Sequence, residues 1–231
     1  MAKQQAKSGD NVTRWIVIAM VSLVVVTGVV FSMMNQNSKE ASSLAALDDY
    51  KSKGTVASTI DAENGSAITF NPGLAKIVDV WEDPQCPACK TFEEASGEYI
   101  DSLVREKKAT VRFHVLSFLG DESVRAANAS FCAADEGQYL DFYKALYRVQ
   151  SPLKNSGFWT NETLIAIGKK VGITSEKFTT CVTDGQKVDL VQANYESMSK
   201  YGVKGTPTVF IDGINVADPS PDGLRAAIEG N

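Results

Sequence analysis

The longest apolar run in the chain, WIVIAMVSLVVVTGVVFSMM from Trp15 to Met34, carries no charge and is interrupted only by small residues such as Ser22, Thr27 and Ser32. A helix of about 20 residues covers roughly 30 Å, the hydrocarbon thickness of a bilayer. Lys3, Lys7 and Arg14 precede the run, whereas only Lys39 lies just beyond it. The positive side stays in the cytoplasm. The pattern therefore predicts a cytoplasmic N-terminus (residues 1–14), a single transmembrane anchor (15–34) and an extracytoplasmic remainder. The alternative is a cleaved signal peptide, whose apolar core is shorter, about 7–15 residues, and is followed closely by a small-residue cleavage site. SMMNQN is a poor cleavage sequence, and SSLAA lies well past the membrane. An uncleaved anchor is the expectation.

Residues 35–54, NQNSKEASSLAALDDYKSKG, are polar and small without a sustained apolar period, and read as a flexible linker. From residue 55 onward the pattern is that of a folded domain. STIDAENGSAITF holds two short strand-like runs around Asn64-Gly65, a hairpin turn signal. LAKIVDVW (Leu74–Trp81) is a compact β-branched run, a buried strand. After Cys86 the period changes to that of a helix, with Phe92, Ala95, Tyr99 and Leu103 on one face. TVRFHVLSF (Thr110–Phe118) is strand again, so the segment reads as a βαβ unit with parallel pairing.

Residues 121–201 are then helical, with stripes such as Val124, Ala127, Phe131, Ala134 and Tyr139, Phe142, Tyr143, Leu146. Thr160 caps one helix and Gly172 stops it; a later one closes at Gly202. TPTVFIDG and INVAD return to strand, and PDGLRAAIEGN is a short final helix. A sheet interrupted by a helical block and then completed is a single α/β or α+β domain, since strands on both sides of the insertion must meet to bury their apolar faces.

Composition changes this picture little. The 231 residues carry a net charge of −5, which argues against nucleic acid recruited by charge. The four cysteines matter more, because an extracytoplasmic domain sits where disulfides persist. EDPQCPACKTFEE sets Cys86 and Cys89 two residues apart, after a strand and at the start of a helix. Free N–H groups and the dipole at a helix start stabilise an anion, and the thiolate is the attacking species in disulfide exchange. Pro87, in the first helical turn, removes an N–H that has no partner there. Cys89 lies one turn on, within reach of Cys86. A metal site would need a second Cys pair or spaced histidines, and the sequence has one histidine, His114. A staple within one helical turn would close too short a loop to stabilise much. A redox pair is the best reading.

VDVWEDPQCPACKTFEE, the helical block and GVKGTPTVFIDG together resemble the DsbA-like branch of the thioredoxin superfamily, in its membrane-anchored Gram-positive or actinobacterial form, over about residues 66–229. The resemblance implies a thioredoxin-like α/β fold with a central mixed β-sheet and an inserted helical domain. It implies that Cys86 is the exposed nucleophile, Cys89 the buried resolving thiol and Pro207 the cis-proline beside them. Thr206 would offer backbone groups to an extended substrate, with Pro87 and Ala88 on the same substrate-facing surface. In many relatives a histidine at the third motif position stabilises the thiolate. Ala88 stands there instead, so Cys86 should titrate above DsbA's value of about 3.5 and the enzyme should be a milder oxidant. The family's buried acid has two weak candidates, Asp79, one residue too far from Cys86, and Glu82, open to solvation. His114 reads as structural.

Cys132 and Cys181 remain, both in helical stretches. Members of this branch often hold a second, structural disulfide, and the compartment favours pairing; two buried free thiols are the alternative. The expected function is a membrane-tethered thiol-disulfide oxidoreductase that introduces disulfides into secreted or cell-envelope proteins. It needs no cofactor or metal and is reoxidised by a quinone-linked membrane partner of DsbB or VKOR type. The rivals are a reductase or isomerase on the same scaffold, as in cytochrome maturation, and a surface binding module whose cysteines are only structural.

Overall fold

The computed structural model describes residues 9–230, and for 9–13 and 33–41 the backbone alone. Two compact units divide the chain, residues 1–43 and 44–231. The first holds most of helix α1 (Gly9–Ala45), whose stretch Arg14–Ser32 is long and apolar enough to cross a membrane. Thr27 Oγ1 donates to the Leu23 carbonyl at 2.8 Å, so this polar group in the apolar run is satisfied within the helix.

The second unit is built on a six-stranded sheet. Strands β1 (Thr59–Asp61) and β2 (Ala67–Phe70) form the expected hairpin, with a turn of 3₁₀-helix at Ala62–Asn64 and Gly65 at φ 67°. Only glycine takes that backbone shape freely, and a Cβ there would lie 2.4 Å from Ser197 Oγ. Strand β3 (Ile77–Glu82), helix α2 (Pro87–Arg105) and strand β4 (Thr110–Val115) make the βαβ unit, with β3 and β4 parallel. Five helices follow: α3 (Asp121–Asp135), α4 (Tyr139–Arg148), α5 (Asn161–Lys170), α6 (Glu176–Thr183) and α7 (Val188–Lys200). Strands β5 (Thr208–Ile211) and β6 (Ile214–Asn215) and helix α8 (Pro221–Glu229) complete the unit. The strand order is β1-β2-β4-β3-β5-β6, and every pairing but β3–β4 is antiparallel, so the sheet is mixed.

Alternation along β3 divides the core. Val78 and Val80 face the large cluster that includes Cys86, Cys89, Phe113 and the inward faces of α2, α3 and α4. Trp81 faces the other way, into a small cluster with Leu116 and Val203. In the helical block α5 meets α6 closely: a Cβ on Gly168 would lie 2.4 Å from the Phe178 ring.

The sequence misjudged the linker. Residues read as flexible from 35 onward are helical to Ala45. That stretch has Gln, Lys, Glu, Ala and Leu without Gly or Pro, so it propagates a helix, yet it is polar all round and shows no apolar period. The strap that follows belongs to the second unit. Leu47 is 1% exposed. Asp141 of α4 accepts from Tyr50 Oη at 3.1 Å, Ser52 Oγ at 2.6 Å and the Lys53 N–H at 3.0 Å. Lys53 also pairs with Asp101 at 3.0 Å. The limits of β3 and β4 also shift, since the sequence run began at Leu74 and ended at Phe118.

Cys132 of α3 and Cys181 of α6 are joined by a disulfide across 49 residues, with Cα atoms 5.9 Å apart. Closing a loop of that length restricts the unfolded chain by about 4 kcal/mol in the chain-entropy model. Alkylation without reductant is expected to leave Cys132 and Cys181 unlabelled. The double variant Cys132→Ala/Cys181→Ala should lose about 2–4 kcal/mol in denaturant unfolding. Ready labelling, or unchanged stability, would contradict the bond.

Candidate active site

Strand β3 delivers the chain to the cysteine pair through the turn Asp83–Cys86, closed by the Cys86 N–H donating to the Asp83 carbonyl at 2.9 Å. Cys86 is the N-cap of α2, with extended backbone (φ −77°, ψ 118°) and Pro87 in the first helical position. Its carbonyl accepts the Lys90 N–H at 3.2 Å, the first bond of the helix. Gln150, just past α4, reaches in from the helical block and donates through Nε2 to the Pro84 carbonyl at 2.7 Å and the Cys86 carbonyl at 3.0 Å.

The far wall is the turn before β5. The Thr206–Pro207 peptide bond is cis, and Cys86 Sγ lies 3.5 Å from the Thr206 carbonyl oxygen. These contacts crowd the sulfur. Cys86 keeps 8% of its surface, so it is largely buried where the family resemblance implied an exposed nucleophile. Access is from the side of Pro87 and Ala88, which are both exposed, while Cys89 is fully buried.

The two thiols are pushed in opposite directions. Cys86 is lowered to about 5, chiefly by the Cys89 thiol, then by Thr206 and the N–H groups of Cys89 and Ala88, against burial, which raises it. Cys89 is raised far above the ordinary thiol range, first by burial and then by Cys86. One sulfur of the pair is thus an anion at neutral pH and the other holds its proton.

The acids near the pair differ from what the sequence suggested. Glu82, taken as open to solvation, is 1% exposed. Burial first, then Glu93 and the Cys86 charge, hold its carboxyl well above the usual range. Asp79 faces the opposite side of the sheet, where His114 Nε2 meets its Oδ1 at 3.0 Å and Arg112 approaches at 3.6 Å. His114 stacks on Trp81 with ring centroids 3.6 Å apart. Neither Asp79 nor His114 belongs to the thiol site. Sequence reasoning missed Glu93, raised to about 7 by burial, with Glu82 and Lys144 opposing the rise. The signal was available: Glu93 lies four residues after Cys89 and so on the same face of α2. Beside it, a cavity of about 10 Å³ lined by Glu93, Asp101, Tyr139, Tyr143 and Lys144 has the room of one water molecule. Among the described residues no cluster of metal-binding side chains occurs.

A family model described as thioredoxin matches residues 71–230. Among curated relatives, the serine/threonine-protein kinase PknE of Mycobacterium tuberculosis is 30% identical over 161 residues, 62% of this chain; the match spans only 28% of the kinase's length. The "Probable disulfide bond formation protein D" of Bacillus anthracis is 26% identical over 229 residues, 93% of each chain. Among solved structures, oxidised DsbA of M. tuberculosis is 26% identical with a TM-score of 0.62, covering 71% of this chain and 91% of that one. MdbA, a thiol-disulfide oxidoreductase from Actinomyces oris, is 27% identical with a TM-score of 0.63, covering 73% and 89%. With the cysteine pair at a helix start, the cis bond beside it and a helical block inside a mixed sheet, this chain belongs to the thioredoxin family.

Proposed function

We propose that the protein is a membrane-tethered, extracytoplasmic oxidase that introduces disulfides into secreted or cell-envelope proteins through Cys86 and Cys89. The observation that carries this is the split between the two sulfurs. A thiolate stabilised at Cys86 favours the reduced form, which makes the Cys86–Cys89 disulfide oxidising. A value of about 5 lies above the roughly 3.5 of DsbA and fits a milder oxidant with Ala88 in place of histidine.

In this scheme a client thiolate attacks Sγ of Cys86 in the disulfide. The S–S bond breaks, Cys89 leaves as a thiolate, and a mixed disulfide joins client and Cys86. Cys89 is dry and cannot remain charged, so it takes a proton from Glu82, which burial keeps protonated. A second client thiolate then attacks the client sulfur, forming the client's disulfide and releasing Cys86 as its stable thiolate. Thr206, next to Pro207, presents backbone groups to an extended client segment, and the exposed Pro87 and Ala88 leave the approach open. The chemistry needs electrons from the client and no bound cofactor. Its completion needs an acceptor, for which a quinone-linked membrane partner of DsbB or VKOR type is the natural class.

The apolar stretch Arg14–Ser32 supports a single anchor. Lys3, Lys7 and Arg14 on its N-terminal side favour a cytoplasmic N-terminus, with the folded unit outside.

Three outcomes are expected. Cys89→Ser should accumulate mixed disulfides on Cys86, seen as reductant-sensitive high-mass species in non-reducing gels; absence of any trapped species in cells would count heavily against the scheme. The ultraviolet thiolate absorbance of the reduced protein should vanish on acidification through about pH 5 and be missing in Cys86→Ser. Because the folded thiol is more acidic than a free one, the reduced fold is favoured above about pH 8.5 and loses that advantage as pH falls to about 5. Glu82→Gln should slow mixed-disulfide formation by about tenfold or more in stopped-flow measurements while Cys86 remains reactive; an unchanged rate would remove Glu82 from the proton path.

A further inference from the structure

Asp83 is fully buried, three residues before Cys86, and takes no part in the exchange steps above. Its carboxylate collects three donors. Oδ1 accepts from Ser123 Oγ at 2.6 Å and from the Gln85 N–H at 2.9 Å. Oδ2 accepts the Leu119 N–H at 3.2 Å. Its backbone carbonyl accepts the Cys86 N–H at 2.9 Å and the Tyr147 hydroxyl at 3.2 Å. Gln85 extends the network, donating through Nε2 to Ser123 Oγ at 3.0 Å and accepting the Asn155 N–H at 2.7 Å. The loop carrying Cys86 is thereby fastened to the first turn of α3, to the loop before it and to α4.

The groups facing Asp83 are the Cys86 thiol from the start of α2, the Ser123 hydroxyl from α3, the Leu119 N–H from the preceding loop and the Tyr147 hydroxyl from α4. Of these, Cys86 is the group that becomes charged at neutral pH. Burial pushes the Asp83 carboxyl up, its three donors pull it down, and the Cys86 thiolate adds to the upward push, leaving it at about 6. Such coupling is reciprocal: what the thiolate does to the carboxyl proton, the carboxylate does to the thiol proton. Two like charges in one dry loop are poorly screened.

We propose that Asp83 is a positioning residue that also tunes the Cys86–Cys89 couple, holding the Cys86 loop against α3 while its charge restrains the oxidising strength of the disulfide. This rests on the thiol-disulfide chemistry of the pair. Reduction of the disulfide by a client dithiol takes up two electrons and yields the Cys86 thiolate and the protonated Cys89 thiol. The new charge on Cys86 then makes Asp83 bind a fraction of a further proton in mildly acidic solution. Above that range Asp83 stays ionised and disfavours the reduced form.

The test is Asp83→Asn in the full chain, measured by thiolate absorbance and by equilibrium with glutathione. The Cys86 midpoint should fall, and the equilibrium should move about threefold or more toward reduced protein. A residue that only fastens the loop predicts the opposite sign, because a loosened helix start holds the thiolate less well; that result, or no shift, overturns the proposal. Should the variant fail to fold, carbon NMR of the Asp83 carboxyl in the unaltered protein decides. Its midpoint should be higher in the reduced than in the oxidised form, and equal midpoints overturn the tuning role. Failure of Cys86 and Cys89 to form any disulfide with glutathione is a separate result, which brings down the proposed function and the tuning role with it.

Discussion

A single anionic sulfur at the start of α2 sets the terms for everything around it. Unpartnered N–H groups and the positive end of a helix are the cheapest way to hold a thiolate without a metal or a cation. That requires the helix to begin at the cysteine, and Pro87 fixes the beginning. It requires the neighbouring sulfur to be a donor and not a second anion, which a dry site one turn deeper ensures. Cys86 keeps 8% of its surface and Cys89 none, and this small difference in depth accompanies opposite shifts of the two thiols.

The helical block contributes to this site directly. Gln150 grips the carbonyls of Pro84 and Cys86, Ser123 grips Asp83, and the tyrosines of α4 line the buried acids beneath Cys89. A bare sheet with one helix would leave the loop before Cys86 held on one side only. The insertion closes the other side, and it also supplies Lys144 beside Glu93, where burial would otherwise leave the acid pair uncompensated.

Local pattern carried far. The C-x-x-C spacing, the strand before it and the helix after it are contiguous in sequence, so their local geometry could be read from EDPQCPACKTFEE alone, and the βαβ unit followed from the change of period at Cys86. Less legible was whatever depends on distant packing. Glu82 reads as a charged residue in a loop-like context and becomes buried because α4 covers it. Asp79 is turned away from the thiols because alternation along β3 puts it with Trp81, and no spacing rule reveals which face the insertion will cover. Residues 35–45 look like tether because polar helices show no stripe, and the strap after them acquires structure through distant partners such as Asp141 and Asp101.

The Cys132–Cys181 bond has a further consequence. The fold that presents the Cys86–Cys89 pair carries, in its frame, a disulfide of its own. Its two half-cystines are 1% and 3% exposed and join α3 to α6, two helices of the insertion, behind packed aliphatic and aromatic side chains. Exchange needs a thiolate to approach in line with the S–S axis, and no thiolate can do so there while the fold is closed. The Cys132–Cys181 bond is thus shielded from thiolates, and shuffling becomes open to it only when the domain unfolds.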